Sequence, residues 1–433
     1  MIITPAKGPL KGEIQVPGDK SITHRAVMFG SIARGTTEIR GFLKSADCLS
    51  TIGCFRSMGI SIEINGDIAH VEGKGLHGLK KPEGILDCGN SGTTMRLMSG
   101  ILTGQDFESR LTGDSSIQKR PMNRIIQPLT ELNARISSIK GNGCAPLFIQ
   151  PSRLHGGTIN SRLSSAQVKS AVLLSGLYAD GEVCYREPFL SRNHSELMLS
   201  SFGALVTGGT EENPECRVSP GGQMEGQLIH VPGDISSAAY FLGAALLVPG
   251  SEILIQNTGI NPTRDGILKV FKSMGADISL LNEKESGGEK TADILVRYSP
   301  LRSLEIGNPI IPALIDEIPL IAVVASQAEG TTVIRDAGEL RVKESDRITI
   351  TAENLRRLGV KVDEMPDGMI IHGPSPLHGA VIDTAGDHRI AMSMSIAGLA
   401  LPPNEEVEIK DADCVSISYP EFYQALSQLK ANS

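Results

Sequence analysis

Five times along the chain an amphipathic stretch ends on Gly or Asn and runs at once into a strand-like stretch: FRSMGISIEI (55–64), LTELNARISSI (129–139), LSSFGALVT (199–207), FKSMGADISL (271–280) and LRRLGVKVDE (355–364). The punctuating residues Gly59, Asn133, Gly203, Gly275 and Gly359 lie 74, 70, 72 and 84 residues apart. Gly and Asn tolerate the left-handed backbone just past a helix end, so each marks a helix that stops and turns. The closing YQALSQLKANS reads as a sixth copy without its strand. A chain of 433 residues is too long for one compact core. Six mixed units therefore predict an α/β (α+β) protein of two domains with three units each.

A second repeat says where the domains meet. VPGDKS stands at 16–21 and VPGDIS at 231–236. Pro after Val favours extended chain and Gly-Asp a turn, so the motif reads as a stiff crossing rather than a loose linker. This predicts an inserted lobe, 19–233, within a discontinuous lobe of 1–18 plus 234–433, with crossings near 16–20 and 231–235. Lys20 in one copy faces Ile235 in the other, so the two copies do different jobs.

The formal charge of -8 and pI near 5.7 argue against nucleic acid or an anionic membrane as partner. The lack of Trp and an aromatic content of 4% argue against base stacking. The longest apolar runs, AAYFLGAALLV and IAMSMSIAGLAL, are too short and too rich in Gly and Ser to span a bilayer and read as buried helices. The first residues lack the pattern of a signal peptide. Seven cysteines without a C-x-x-C pair suit a reducing cytoplasm and no disulfide or zinc framework. The nine histidines show no metal-binding spacing, so no metal is expected. NEKESGGEKTADI (282–294) lacks the order of a phosphate-binding loop and reads as an exposed hairpin loop.

Within this acidic chain, cations fall at helix starts. Gly-Asp recurs in GDKS (18–21), GDSS (113–116), GDIS (233–236) and GDHR (386–389), with a relative in GNSGTTMR (89–96). Asp, Asn and Ser there are ordinary helix caps. Lys or Arg is not, since the electropositive N-terminus disfavours a cation by a few tenths to about 1 kcal/mol. Yet Lys20, Arg25, Arg120, His388 and Arg389 occupy such segments, and RVKESDR (341–347) adds Arg341, Lys343 and Arg347. Repeated breaks of a local rule point to a chamber that binds a polyanion. Asp316, in an otherwise apolar segment, and Glu344, between Lys343 and Arg347, are candidates for proton transfer. Taken alone, Asp316 reads rather as a first-turn cap and Glu344 as a surface ion pair. SSAQVKSA (164–171) offers Ser164, Ser165 and Gln167 to phosphate oxygens or hydroxyls, or is an ordinary helix start, and SRNHSE (191–196) is open in the same way.

Taken in order, GDKSITHR, GNSGTTMRL, GDSSIQKRP, SSAQVKSA, RVKESDR and GDHRIAMS resemble the 5-enolpyruvylshikimate-3-phosphate synthase family over essentially the whole chain, to the closing SYPEFY. SAQVKSA and RNHSE resemble its class II subgroup. The resemblance implies a two-lobed inside-out α/β barrel, each lobe three β-α-β-α-β-β repeats, with a ligand cleft between lobes that polyanionic substrates draw closed. It implies transfer of the enolpyruvyl group of phosphoenolpyruvate to the 5-hydroxyl of shikimate 3-phosphate, with release of phosphate and no cofactor, in a cytoplasmic monomer. By motif, Lys20, Ser21, Arg25, Ser165, Gln167, Arg192, Asp316 and Lys343 would bind shikimate 3-phosphate. Lys20, Gly92, Arg120, Gln167, Arg347 and Arg389 would surround phosphoenolpyruvate, the site of the inhibitor glyphosate. Asp316 would take the hydroxyl proton, Glu344 would protonate the methylene carbon with His388 in support, and Lys20 would act between the substrates. Ile417 stands where some members carry a lysine. Two rivals remain. The sister transferase acting on UDP-N-acetylglucosamine usually has a cysteine in the segment matching GDSSIQKRP, and none lies there. A non-catalytic anion-binding protein would not need Lys20, Asp316, Glu344 and Arg389 together.

Overall fold

The five punctuating residues have φ of +86° at Gly59, +68° at Asn133, +98° at Gly203, +101° at Gly275 and +93° at Gly359. Each ends a helix (Ala46–Ser57, Asn123–Glu131, His194–Ser201, Gly266–Ser273 and Arg347–Arg357) and feeds a strand (Ser61–Asn65, Arg135–Ser138, Leu205–Thr207, Asp277–Ser286 and Lys361–Met365). The computed structural model describes residues 1–286 and 288–431. They fall into two compact units: Met1–Pro17, Pro232–Lys284 and Lys290–Ser433 form one, Gly18–Val231 with Glu285–Glu289 the other. The grouping of 285–289 with the inserted unit has no signal in the sequence.

Each unit carries three sheets. The inserted unit repeats one pattern, a parallel pair continued by antiparallel strands. Leu86–Asp87, Ser109–Thr112, Leu147–Gln150 and Arg135–Ser138 form one sheet; Gly157–Asn160, Val183–Arg186, Glu215–Ser219 and Leu205–Thr207 form another. The third, Leu228–His230 beside Arg34–Arg40, Ile68–Lys74 and Ser61–Asn65, takes its first strand from the far end of the unit. The discontinuous unit repeats the pattern with Lys11–Gln15 parallel to Glu252–Gly259 and with Glu305–Ile306 parallel to Gly330–Ile334. Its last sheet has three strands, Ala380–Ile382, Val407–Ile409 and the N-terminal Ile2–Ile3. The sixth copy therefore lacks a terminal hairpin, and the first strand of the chain fills one of the two places.

The V-P-G-D repeat is one strand-to-helix junction written twice with its strands exchanged. Lys11–Gln15 leads through the first copy into helix Lys20–Ile32 but pairs with Glu252–Gly259. Leu228–His230 leads through the second into helix Ile235–Leu247 but pairs with Arg34–Arg40. Both motif aspartates cap: Asp19 accepts from the Ile22 N–H at 2.8 Å and Asp234 from the Ser236 N–H at 3.0 Å. A Cβ on Gly18 would lie 2.0 Å from the Gly41 carbonyl oxygen, so only glycine fits.

Each unit has its own apolar core. Inside the inserted unit run helices Lys20–Ile32, Gly92–Leu102 and Ala166–Gly176, buried along nearly their whole length. The discontinuous unit has Ile235–Leu247, Ile318–Ala325 and His388–Gly398 in the same role. These contain the two long apolar runs, and no helix of the described residues is long and apolar enough to cross a membrane. NEKESGGEKTADI is not a loop: strands Asp277–Ser286 and Glu289–Arg297 run through most of it, and residue 287 lies outside the described residues. The exposed polar run at 282–285, which has no apolar alternation, hid the strands. GDSS likewise opens a 3₁₀ turn, Ile117–Lys119, rather than a full helix, because Pro121 holds Arg120 extended and the helix restarts at Asn123.

Candidate active site

In the inserted unit, the buried helices begin at the polar segments singled out above. Lys20 opens the first, and its Nζ lies 2.7 Å from Asp47 Oδ2. Asp47 stands in the first turn of helix Ala46–Ser57, and nothing in the sequence pairs the two. Arg25, one turn on, is buried: its Nε donates to Ser195 Oγ at 2.8 Å, Nη1 to the Ser21 carbonyl at 3.0 Å and Nη2 to Ser170 Oγ at 3.0 Å. Burial pulls its guanidinium down to about 10, against the opposing pull of Glu196 and Asp19. His24, between them, is held well below its usual value by burial first and by Lys20 and Arg25 next. It therefore adds no charge to the segment at neutral pH.

Ser91 caps helix Gly92–Leu102, accepting from the Thr94 N–H at 3.0 Å. A Cβ on Gly92 would meet Arg96 Nη1 at 3.0 Å and Arg120 Nη1 at 3.4 Å, so two guanidiniums lie over the first turn of this helix. Arg120 Nη2 donates to Asn90 Oδ1 at 2.6 Å and Ser116 Oγ at 3.2 Å. Arg96 donates to Gln167 Oε1, and Gln167 Nε2 to Thr93 Oγ1 at 3.0 Å. Gly92, Arg120 and Gln167 are thus one cluster, joined by Arg96, which the sequence reading missed although GNSGTTMR contains it. Ser165 is the residue before helix Ala166–Gly176 and makes no capping hydrogen bond with its side chain, while Ser164 accepts from the Phe189 N–H at 2.9 Å. Ser21 and Arg192 are half-buried.

The discontinuous unit gathers a second set around Arg347, which is 1% exposed. Its Nη1 donates to Asp316 Oδ1 at 3.1 Å, its Nη2 to Glu344 Oε2 at 2.6 Å and its Nε to Asp387 Oδ2 at 2.8 Å. Burial is the largest single influence on this guanidinium and pulls it down, but Asp387, Glu344 and Asp316 together raise it, so it stays charged. Asp316 lies on the 3₁₀ turn Ile315–Glu317. Arg389 Nη2 stands 3.9 Å from Asp316 Oδ2, and Lys343 Nζ 3.9 Å from Asp316 Oδ1. Behind the turn, Arg264 Nη1 lies 3.4 Å from Glu317 Oε1 and its Nη2 donates to Ser236 Oγ at 2.6 Å. Asp316, Lys343, Glu344, Arg347 and Arg389 are therefore together, with His388 buried at the start of the helix that carries Arg389. Arg341 is not part of the set: it binds Asp346, Glu364 and the Pro366 carbonyl. Ile417 ends the 3₁₀ turn Ala412–Ile417.

One set is rich in cations and helix N-termini suited to phosphate and carboxylate groups. The other holds three carboxylates, Asp316, Glu344 and Asp387, on a shared guanidinium, with further cations beside them, which suits proton transfer on an anionic substrate.

The family model of EPSP synthase (3-phosphoshikimate 1-carboxyvinyltransferase) matches residues 5–426. A 3-phosphoshikimate 1-carboxyvinyltransferase of Citrifermentans bemidjiense is 52% identical over 427 residues, covering 98% of this chain and 97% of that protein. Among solved structures, EPSP synthase from Acinetobacter baumannii superposes with a TM-score of 0.87 at 42% identity, over 99% of this chain and 97% of that one. The enolpyruvyl transferase NikO from Streptomyces tendae shares the fold, with a TM-score of 0.78 at 17% identity over 99% of this chain and 97% of its own.

Proposed function

The chain belongs to the EPSP synthase family, and from that premise we propose how its residues share the reaction. The enzyme transfers the enolpyruvyl group of phosphoenolpyruvate to shikimate 3-phosphate in aromatic biosynthesis. The observation that carries the assignment of roles is the shared contact of Asp316 and Glu344 with one buried guanidinium, Arg347, at 3.1 and 2.6 Å. A group that moves a proton must be held in place.

Asp316 takes the proton of the 5-hydroxyl as its oxygen bonds to C2 of phosphoenolpyruvate. Glu344, with His388 in support, delivers a proton to the methylene carbon. The tetrahedral adduct then loses a proton from the new methyl group and expels phosphate, which restores the double bond. Ser21 and Arg25 hold the shikimate carboxylate; Ser165, Gln167, Arg192 and Lys343 serve the phosphate and ring. Gly92, Arg120, Gln167, Arg347 and Arg389 receive phosphoenolpyruvate, and Lys20, steadied by Asp47, contacts both substrates. Support comes from the contacts inside each set: Arg120 and Gln167 converge on the Gly92 turn, and Arg389 and Lys343 flank Asp316. Glyphosate occupies the phosphoenolpyruvate place and competes with it. The free cysteines support a reducing, cytoplasmic setting, and a monomer is carried over from the family resemblance.

Phosphate release tests the reading. It should require both shikimate 3-phosphate and phosphoenolpyruvate. Release when UDP-N-acetylglucosamine replaces shikimate 3-phosphate, or none with the proper pair, would overturn it.

A further inference from the structure

Lys169 is the most deeply buried lysine in the neighbourhood of these sets, at 1% exposure, and the reaction as proposed gives it nothing to do. It sits on helix Ala166–Gly176, just past Ser165 and Gln167. Its Nζ lies 3.1 Å from Glu187 Oε1 and 2.8 Å from Glu196 Oε1, and donates to the Ser191 carbonyl at 3.0 Å. Both glutamates are as buried as the lysine. Glu187 Oε1 also accepts from the Ser191 N–H and from Ser191 Oγ, both at 2.8 Å. The turn 187–191 is thereby closed on itself and tied to the helix immediately before Arg192.

The next residues on either side repeat the join. Ser170, beside Lys169, and Ser195, beside Glu196, have hydroxyls 2.6 Å apart. Arg25 donates to both of them. Two buried pairs, one ionic and one of hydroxyls, therefore lock helix Ala166–Gly176 to helix His194–Ser201, and Arg25 is fastened across the second pair. Three anion-binding candidates meet in this join: Arg25, Arg192 and the N-terminal turn with Ser165 and Gln167. Burying one cation and two carboxylates costs desolvation that only good geometry recovers. An apolar cluster would hold the helices with less difficulty, but it would not fix the turn before Arg192 through four polar contacts.

We propose that Lys169, Glu187 and Glu196 are positioning residues for shikimate 3-phosphate: they touch no substrate and set the spacing of Arg25, Arg192 and the Ser165–Gln167 turn. The proposal rests on the functional reading above and adds a specificity to it: Arg25 and Arg192 serve shikimate 3-phosphate alone, whereas phosphoenolpyruvate shares only Gln167 with this join and keeps Gly92, Arg120, Arg347 and Arg389, so its binding should be largely spared.

The test uses the full chain with Glu187→Gln, which keeps the shape and removes one charge, and with Lys169→Met. Steady-state kinetics should show a KM for shikimate 3-phosphate raised about tenfold or more, since sub-ångström misplacement of an anchor carries penalties of this order. The KM for phosphoenolpyruvate should change by less than about twofold, as expected for a loss confined to one substrate. Calorimetric binding of shikimate 3-phosphate alone should weaken by the same factor as its KM. An unchanged KM for shikimate 3-phosphate in folded Glu187→Gln would overturn the proposal, as would an equal rise in both KM values, which marks general loosening. If Lys169→Met does not fold, Glu187→Gln decides alone. Failure of the functional reading itself is distinct: the unaltered protein would then neither bind shikimate 3-phosphate nor release phosphate.

Discussion

A methyl group at position 92 would press on the ends of two side chains, Arg96 Nη1 at 3.0 Å and Arg120 Nη1 at 3.4 Å, and on no backbone atom among its nearest neighbours. Side-chain ends yield, so Gly92→Ala should fold normally while the guanidiniums shift by a few tenths of an ångström. A compact anion can follow such a shift; a longer ligand that fills the same place cannot. The expected outcome for Gly92→Ala is a modest rise in the KM for phosphoenolpyruvate and a glyphosate inhibition constant raised by about tenfold or more, a difference of roughly 1.4 kcal/mol. Equal inhibition constants for the two proteins would show that this glycine does not gate the ligand. The same contacts explain what a sequence can say about a site. Gly92, Arg120 and Gln167 are legible because each stands in a segment where a local rule is broken or a cap is offered. Arg96 and Asp47 are not, since a cation four residues into a helix and an acid in a first turn break no rule, and only tertiary pairing reveals them.

At the level of elements, the helix ends were the most readable feature because they depend on backbone conformation, which a single residue type controls. Gly203 and Asn133 occupy the same place in two copies, at φ of +98° and +68°. Around Gly203 a Cβ would lie 2.3 Å from the Gln223 carbonyl oxygen, which the backbone holds in place. Gly203→Ala should therefore cost more than the 1–2 kcal/mol of left-handed backbone alone. Asn133→Gly should stay within about 0.5 kcal/mol, since Asn already tolerates that conformation. Chemical denaturation of the two variants checks the contrast, and similar losses would refute it. The exchange of strands at the V-P-G-D junctions was half legible. The motif marked both crossings, but which strand pairs with which is decided by partners far away in sequence, at Glu252–Gly259 and Arg34–Arg40. The segment 282–294 was misread because its first residues, 282–285, are exposed and polar without an apolar alternation, while the buried face of the second strand shows apolar residues only from Ala292 onward.

For the whole molecule, the proposed roles divide between two units with separate cores, so neither carries the full set. Shikimate 3-phosphate, held by residues the native fold assembles, should raise the melting temperature, by linkage worth about 2.7 kcal/mol at a hundred times its dissociation constant. No shift at saturating ligand would contradict the anchors assigned to Arg25, Ser165 and Gln167. The division also sets the decisive measurement, turnover of Asp316→Asn and Glu344→Gln beside calorimetric binding of shikimate 3-phosphate. If these two carboxylates on Arg347 move the protons, turnover should fall by about 10²–10⁴ in each variant, with far smaller losses in binding. Near-normal turnover in either variant would contradict the account.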